Sequence, residues 1–298
     1  MRLSAGDTEV ASYVVDPELD VRLGPRPYLH PVRTLGGVTV TDALCFDHPW
    51  HLGASLSMQD VDGVNLWGGR TYVRGEGYVW REDHGRVVHT AWLPAETGFA
   101  ERLAWQSGAG VTLLTEERAV SAQPAPHGWQ LSFAYTLNAP PAKDVTLGSP
   151  ATNGRTGGAG YGGFFWRAAP APERPTGPAP KKAAGAEKAA VPDPSRPGGP
   201  APEGGAVRMF TAAGEGGHGS AEPWLALAVG DAYTLVFRGL ADRDRWFVRT
   251  DDYPGVCAAL AYDQPLTIPA GTTISRRLTV LVADGTLTPD QLGSATGR

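Results

Sequence analysis

Trp129-Gln130-Leu131-Ser132-Phe133-Ala134-Tyr135-Thr136-Leu137-Asn138 is the stretch that decides the fold. Large apolar side chains hold every second position, and the residues between them are polar or small. Successive side chains of a strand point to opposite faces. This is therefore a half-buried strand, with Trp129, Leu131, Phe133, Tyr135 and Leu137 turned to a core. Near the C-terminal end, Ile274, Leu278, Val280 and Val282 alternate with Thr273, Ser275, Arg277 and Thr279 in the same way.

Working outward, short strands are expected at residues 9–15, 38–41, 55–59, 71–80, 87–93, 99–106, 111–121, 234–237 and 246–249. One short helix is expected, with Thr288 as N-cap, Pro289 at its first position and Asp290 to Leu292 following. Many short strands, frequent turns and no helical periodicity indicate an all-β fold, a large antiparallel β-sandwich. The 298 residues are expected to form a single domain, residues 1–298. It is interrupted by a Pro/Ala/Gly-rich loop at about residues 168–205. That segment is too poor in apolar surface to offset the entropy of ordering, so disorder is expected there.

Composition narrows the function classes. Charged residues make up 19% of the chain, hydrophobic ones 42%, and glycine (39) and proline (26) are abundant, which suits a turn-rich β protein. The formal net charge is -5, and no basic run of the kind nucleic acids attract is present. Apolar runs such as Trp224 to Val229 are far shorter than a membrane span needs. Cys45 and Cys257 read as two free thiols of a reducing compartment. Met1 to Val10 lack the pattern of a signal peptide. A soluble, cytoplasmic protein is expected; nothing in the sequence indicates an oligomeric state.

Polar and aromatic residues concentrate between Arg26 and Tyr78. Asp47-His48-Pro49-Trp50-His51 is the sharpest cluster. Pro49 disfavours a regular central strand, so a turn brings the two histidines to one side. Three readings fit. One histidine is a general acid/base. Both bind a metal, with Asp47 or His30 as third ligand. Or both fix the turn by bonding loop carbonyls. Arg33 suits a carboxylate, a sugar hydroxyl pair, or a neighbouring Asp42 or Asp47. In Asn65-Leu66-Trp67-Gly68-Gly69, Trp67 is a platform for a sugar face and Asn65 a hydrogen-bonding partner, or else Trp67 covers the core and Asn65 closes an Asx turn. Alternation places Glu117 with Leu113, Thr115 and Ala119, where a carboxylate is a second acid/base group or a partner of Arg33 or Arg167. Arg167 is the polar end of an aromatic strand that follows Tyr161-Gly162-Gly163. The catalytic candidates are thus His48, His51 and Glu117. The substrate-binding candidates are His30, Arg33, Asn65, Trp67, Tyr161 and Arg167. The pattern requires no metal or other cofactor, and His84, His89, His127 and His218 have no supporting constellation.

These blocks, with Trp246-Phe247-Val248-Arg249-Thr250 and Tyr253-Pro254-Gly255-Val256-Cys257, resemble the soluble bacterial PmoA-like proteins, also labelled methane oxygenase, over residues 26–285 outside the Pro/Ala loop. The resemblance implies a role in carbohydrate metabolism, and its strand pattern is similar to the supersandwich of galactose mutarotases, which bind sugars with His, Glu, Arg and aromatic side chains. The expected function is therefore a carbohydrate-related enzyme working by acid/base chemistry on a sugar or oxidised sugar. The alternatives are a non-catalytic sugar-binding module and, as the family label suggests, a metal-dependent oxygenase.

Overall fold

A computed structural model describes residues 1–171, 207–241 and 243–296. Two antiparallel sheets pack face to face. In spatial order, the seven-stranded sheet is Arg2–Ala5, Thr8–Val14, Tyr28–Val32, Ala54–Ser57, Gly163–Arg167, Gly255–Ala259 and Arg245–Arg249. The nine-stranded sheet is Gly214–Glu215, Val207–Thr211, Trp224–Val229, Tyr233–Arg238, Thr273–Asp284, Gly128–Asn138, Thr112–Ala125, Phe99–Ser107 and Gly85–Leu93. The Gly128–Asn138 strand alternates buried and half-buried along its length, as the period-two pattern requires. Phe133 pairs with Val120 on one side and Leu278 on the other. Its inward residues join Leu29, Leu56, Phe164 and Trp166 of the opposite sheet in one apolar core.

Strands from either side of residues 172–206 enter both sheets. The first residues of the segment expected as a Pro/Ala loop, from about residue 168, are held by the fold. Ala168 is buried and bridged to Thr41, and Ala169 donates its N–H to Val40; residues 172–205 lie outside the described residues. The strand expected at 38–41 is only a pair of isolated bridges, from Thr39 to Arg33 and from Thr41 to Ala168. The helix runs Pro289–Thr296 and is capped reciprocally: Gln291 N–H donates to Thr288 Oγ1, and Thr288 N–H donates to Gln291 Oε1. Cys45 and Cys257 are both free. No helix among the described residues is long and apolar enough to cross a membrane.

A buried ionic network in the core corrects the placement of Glu117. Leu114, Glu116, Arg118 and Val120 face inward, while Glu117 is exposed and ion-paired with the exposed Arg102 at 2.8 Å. Glu116 accepts from Trp105 Nε1 at 2.8 Å and from Arg118 Nε at 2.7 Å. Arg118 also donates to the Tyr13 hydroxyl at 2.8 Å, and Tyr13 donates to Glu101. His89, which had no visible partner in the sequence, meets Glu101 at 2.7 Å. Tyr13 belongs to the seven-stranded sheet and the other members to the nine-stranded one, so the network ties the layers together. Each buried charge has a hydrogen-bonded partner, as burial demands.

Candidate functional site

The Gly163–Arg167 strand is buried on both faces. Phe164 and Trp166 enter the core between the sheets, whereas Phe165 and Arg167 point the other way. On that outer face Phe165, Phe247, Cys257, Ala259 and Trp67 form a second apolar layer, flanked by the partly buried rings of Trp50, Tyr161, Tyr253 and Tyr262. Loops are held onto this layer by Arg26, which is fully buried. It donates to the carbonyls of Gly24, Trp67 and Trp50 and to Ser55 Oγ. Gly53, at φ +48°, ends the loop that carries the histidines, and any side chain there would clash with the Leu29 carbonyl. Gly69 lets the Trp50 ring lie directly on the 68–69 turn.

Asp47, His48, His51, Arg167 and Tyr253 come together on this scaffold. Arg167, 5% exposed, donates from Nη2 to both carboxylate oxygens of Asp47 at 3.1 Å. His48 Nδ1 bonds Asp47 Oδ2 at 2.8 Å. Burial pushes the Asp47 pKa up, but the bond from His48 and the charge of Arg167 outweigh it and hold the carboxyl below its usual range. The Arg167 guanidinium lies 4.0 Å over the Tyr253 ring, and its Nε is buried without a partner. Arg167 Nη1 donates to His51 Nδ1 at 3.3 Å, which assigns the His51 proton to Nε2. His51 is 2% exposed; burial first, then the charges of His48, Arg167 and Arg26, drive its pKa well below the ordinary value, so it stays neutral. The His48 side chain is 34% exposed. Its Nε2 makes no hydrogen bond among the described residues and is not sealed from solvent. The result is a carboxylate-oriented imidazole whose free nitrogen is able to accept a proton at the surface.

Aromatic rings adjoin this imidazole, with Trp50 at 5.3 Å. Phe46 is 82% exposed and adjoins Asp47; Trp80 is 48% exposed and meets Trp50 edge to face at 6.4 Å. Tyr253 lies 5.2 Å from His48 and 5.0 Å from His51, and burial keeps its phenol protonated. Two surface hollows of about 420 and 550 Å³ lie elsewhere, one beside Asp16–Leu19 and one against the C-terminal helix.

The structure sorts the candidates. His48, His51 and Arg167 lie together, and Tyr161 joins them through Trp67, 4.9 Å away, with its hydroxyl 3.1 Å from that of Tyr78. Trp67 itself is 3% exposed and lies beneath the site, so it presents no face to solvent, whereas Phe46 and Trp80 are exposed. Asn65 closes an Asx turn, accepting from the N–H groups of Trp67 and Gly68 at 3.0 and 2.9 Å. His30 bonds Thr41 Oγ1 at 3.0 Å and touches neither His48 nor His51. Arg33 forms no ion pair with Asp42, Asp47 or any other described residue. Glu117 is on the opposite sheet. Asp47 and Tyr253 carry more of the site than their place in the sequence suggests; their only signals were adjacency to His48 and a Tyr-Pro-Gly turn. His48 and His51 stack nearly parallel, 4.7 Å apart at 9°, which prevents both rings from aiming in-plane lone pairs at one ion. No group of three or more His, Cys, Asp or Glu among the described residues is arranged to hold a metal. Burial pushes the Cys45 and Cys257 thiols up to about 12, so neither is a thiolate nucleophile at neutral pH.

Comparison with known proteins adds little chemistry. No curated protein matches the sequence. Solved structures of heparan sulfate lyase HepC from Pedobacter heparinus, and of a HepC mutant, align with 68% of this chain and 23% of theirs, at 10% identity and a TM-score of 0.27. The aligned part is thus under a quarter of those proteins, and a likeness of that size carries no inference. The resemblance to PmoA-like proteins is overturned, because the family model that matches is a different one and spans residues 1–296. The chain belongs to the family of unknown function DUF6807.

Proposed function

We propose that the outer-face site binds a hydroxyl-rich small molecule of the sugar class and transfers a proton to or from it. One observation carries this reading: Asp47 orients His48 so that Nε2 is reachable from solvent, in an imidazole packed between the rings of Trp50 and Tyr253. In this reading His48 accepts a proton from a substrate hydroxyl or an acidified C–H, and Asp47, itself held by Arg167, stabilises the resulting imidazolium. The imidazolium of His48 is the group that returns the proton, while Tyr253, whose phenol stays protonated, packs against both histidines. Phe46, Trp50 and Trp80 offer flat apolar faces to the C–H face of a sugar ring. His51 acts as a positioning residue, accepting from Arg167. No metal enters the scheme.

The test is a screen of neutral and oxidised sugars by calorimetry and product analysis, followed by His48→Gln. The variant is expected to bind the same sugar, lose turnover by at least about a hundredfold, and unfold at nearly the wild-type temperature. Undiminished turnover would remove His48 from the chemistry. Binding with no product over long incubation, in the wild type as well, would leave a sugar-binding module.

A further inference from the structure

The same outer face carries two guanidinium groups with no ion-pair partner among the described residues. Arg155 donates to the Tyr78 hydroxyl and lies 4.8 Å over the Tyr78 ring. Tyr78 in turn bonds Tyr161, whose ring packs 5.5 Å from Phe247. Arg249 lies 4.3 Å over that same Phe247 ring, and among the described residues its guanidinium donates only to the Val248 carbonyl, at 3.2 Å. Arg155 and Arg249 thus flank one aromatic patch. Neither makes an ion pair among the described residues, and neither is sealed from solvent. The nearby acids form no ion pair with them among the described residues: Asp251 accepts from Thr250, Asp47 is taken by Arg167 and His48, and Asp252 and Asp263 share only the field around Tyr253 and Tyr262 with Arg249. Other arginines of the molecule do pair with acids, as Arg2 with Glu9, Arg22 with Asp20, Arg102 with Glu117 and Arg208 with Glu215. Both arginines are instead held by aromatic faces, which fixes the fork in place and leaves N–H donors directed to solvent. In a chain of net charge -5, such a concentration of unneutralised cation beside a candidate site suits an anionic ligand.

We propose that Arg155 and Arg249 receive the anionic group, carboxylate or sulfate, of an acidic sugar bound at the outer-face site. This rests on the reading of that site as a sugar site and names its substrate class. The groups are bound by charge-assisted, forked hydrogen bonds, which planar or tetrahedral oxyanions accept and neutral hydroxymethyl groups do not.

The experiment compares, by calorimetry on the full chain, a neutral hexose, its uronic acid and its sulfate ester. The acidic sugars are expected to bind at least about tenfold more tightly than the neutral one, with the preference shrinking as salt is raised. The relative strength of the uronic acid and the sulfate ester decides which oxyanion is meant. Arg155→Gln combined with Arg249→Gln is expected to erase the preference while neutral-sugar affinity and the melting temperature stay unchanged. Equal wild-type affinity for all three would overturn the assignment of charge while leaving the sugar reading intact, and so would a preference that survives the double substitution. Binding of none of them would remove the sugar reading itself.

Discussion

His48 and His51 are three residues apart and stacked, yet they do opposite things. His48 keeps one nitrogen at the surface; His51 spends its acceptor on Arg167 inside the fold. Burial depresses the pKa of His51, and it does the same, with smaller effect, to His30 and His218. A histidine with a lowered folded pKa binds its proton more weakly in the folded chain than in the unfolded one. Below the unfolded value near ~6.5, the unfolded chain takes up protons the fold refuses, so stability is full at neutral pH and declines as pH falls from 7 toward 5. His51→Asn preserves an acceptor for Arg167 and removes one titrating group. It is expected to reduce the slope of unfolding free energy between pH 6 and 5 by up to about 1.4 kcal/mol per pH unit. Denaturant titrations at pH 5, 6 and 7 measure it, and an unaltered slope would mean that His51 is protonated within the fold. At this scale the sequence made the histidine cluster legible, because Pro49 signals a turn. Which ring is reachable was not legible, since that depends on Arg167, 116 residues away along the chain.

A strand turns one counting error into the wrong face. The Thr112–Ala125 strand has a register shift between Thr112 and Leu114 against its neighbour, and both Leu113 and Leu114 are buried. Parity counted from Leu113 turns Glu117 inward; parity counted from Val120 turns Glu116 and Arg118 inward, as observed. The bulge that decides between them depends on cross-strand pairing, which a single strand does not reveal. By contrast, the Gly128–Asn138 strand has no such irregularity in its pairing, and its pattern was readable outright. The consequence is measurable on adjacent residues. Arg118→Met leaves Glu116 and Glu101 buried without their cation and is expected to cost about 3–5 kcal/mol. Glu117→Gln removes a half-exposed ion pair with Arg102 and is expected to cost less than about 1 kcal/mol. Urea denaturation of the two variants compares them directly; similar losses would contradict the assigned faces.

Across the whole molecule, stability and the candidate site occupy different layers. The core lies between the sheets, where Phe133 packs against Phe164 at 4.6 Å. The site lies on the far side of the seven-stranded sheet, where Tyr253 spans Arg167 and both histidines. The sandwich was legible because alternation reports a buried face directly. The outer layer was not, because the Gly163–Arg167 strand is covered on both sides and so shows no alternation to read. Two substitutions separate the layers. Phe133→Ala opens a cavity in the core and is expected to lower the unfolding free energy by about 3–5 kcal/mol. It leaves sugar affinity per folded molecule unchanged, since the site contacts only the other face of the intervening sheet. Tyr253→Ala takes away the ring beneath Arg167 and beside His48; it is expected to weaken sugar binding by roughly five- to thirtyfold, about 1–2 kcal/mol, with a smaller stability loss than Phe133→Ala. Calorimetric affinity and denaturant midpoint, measured on both proteins, give four numbers whose crossed pattern is the prediction. If both variants lost affinity in proportion to stability, the two layers would be energetically one, and the outer face would have no claim to be a site in its own right.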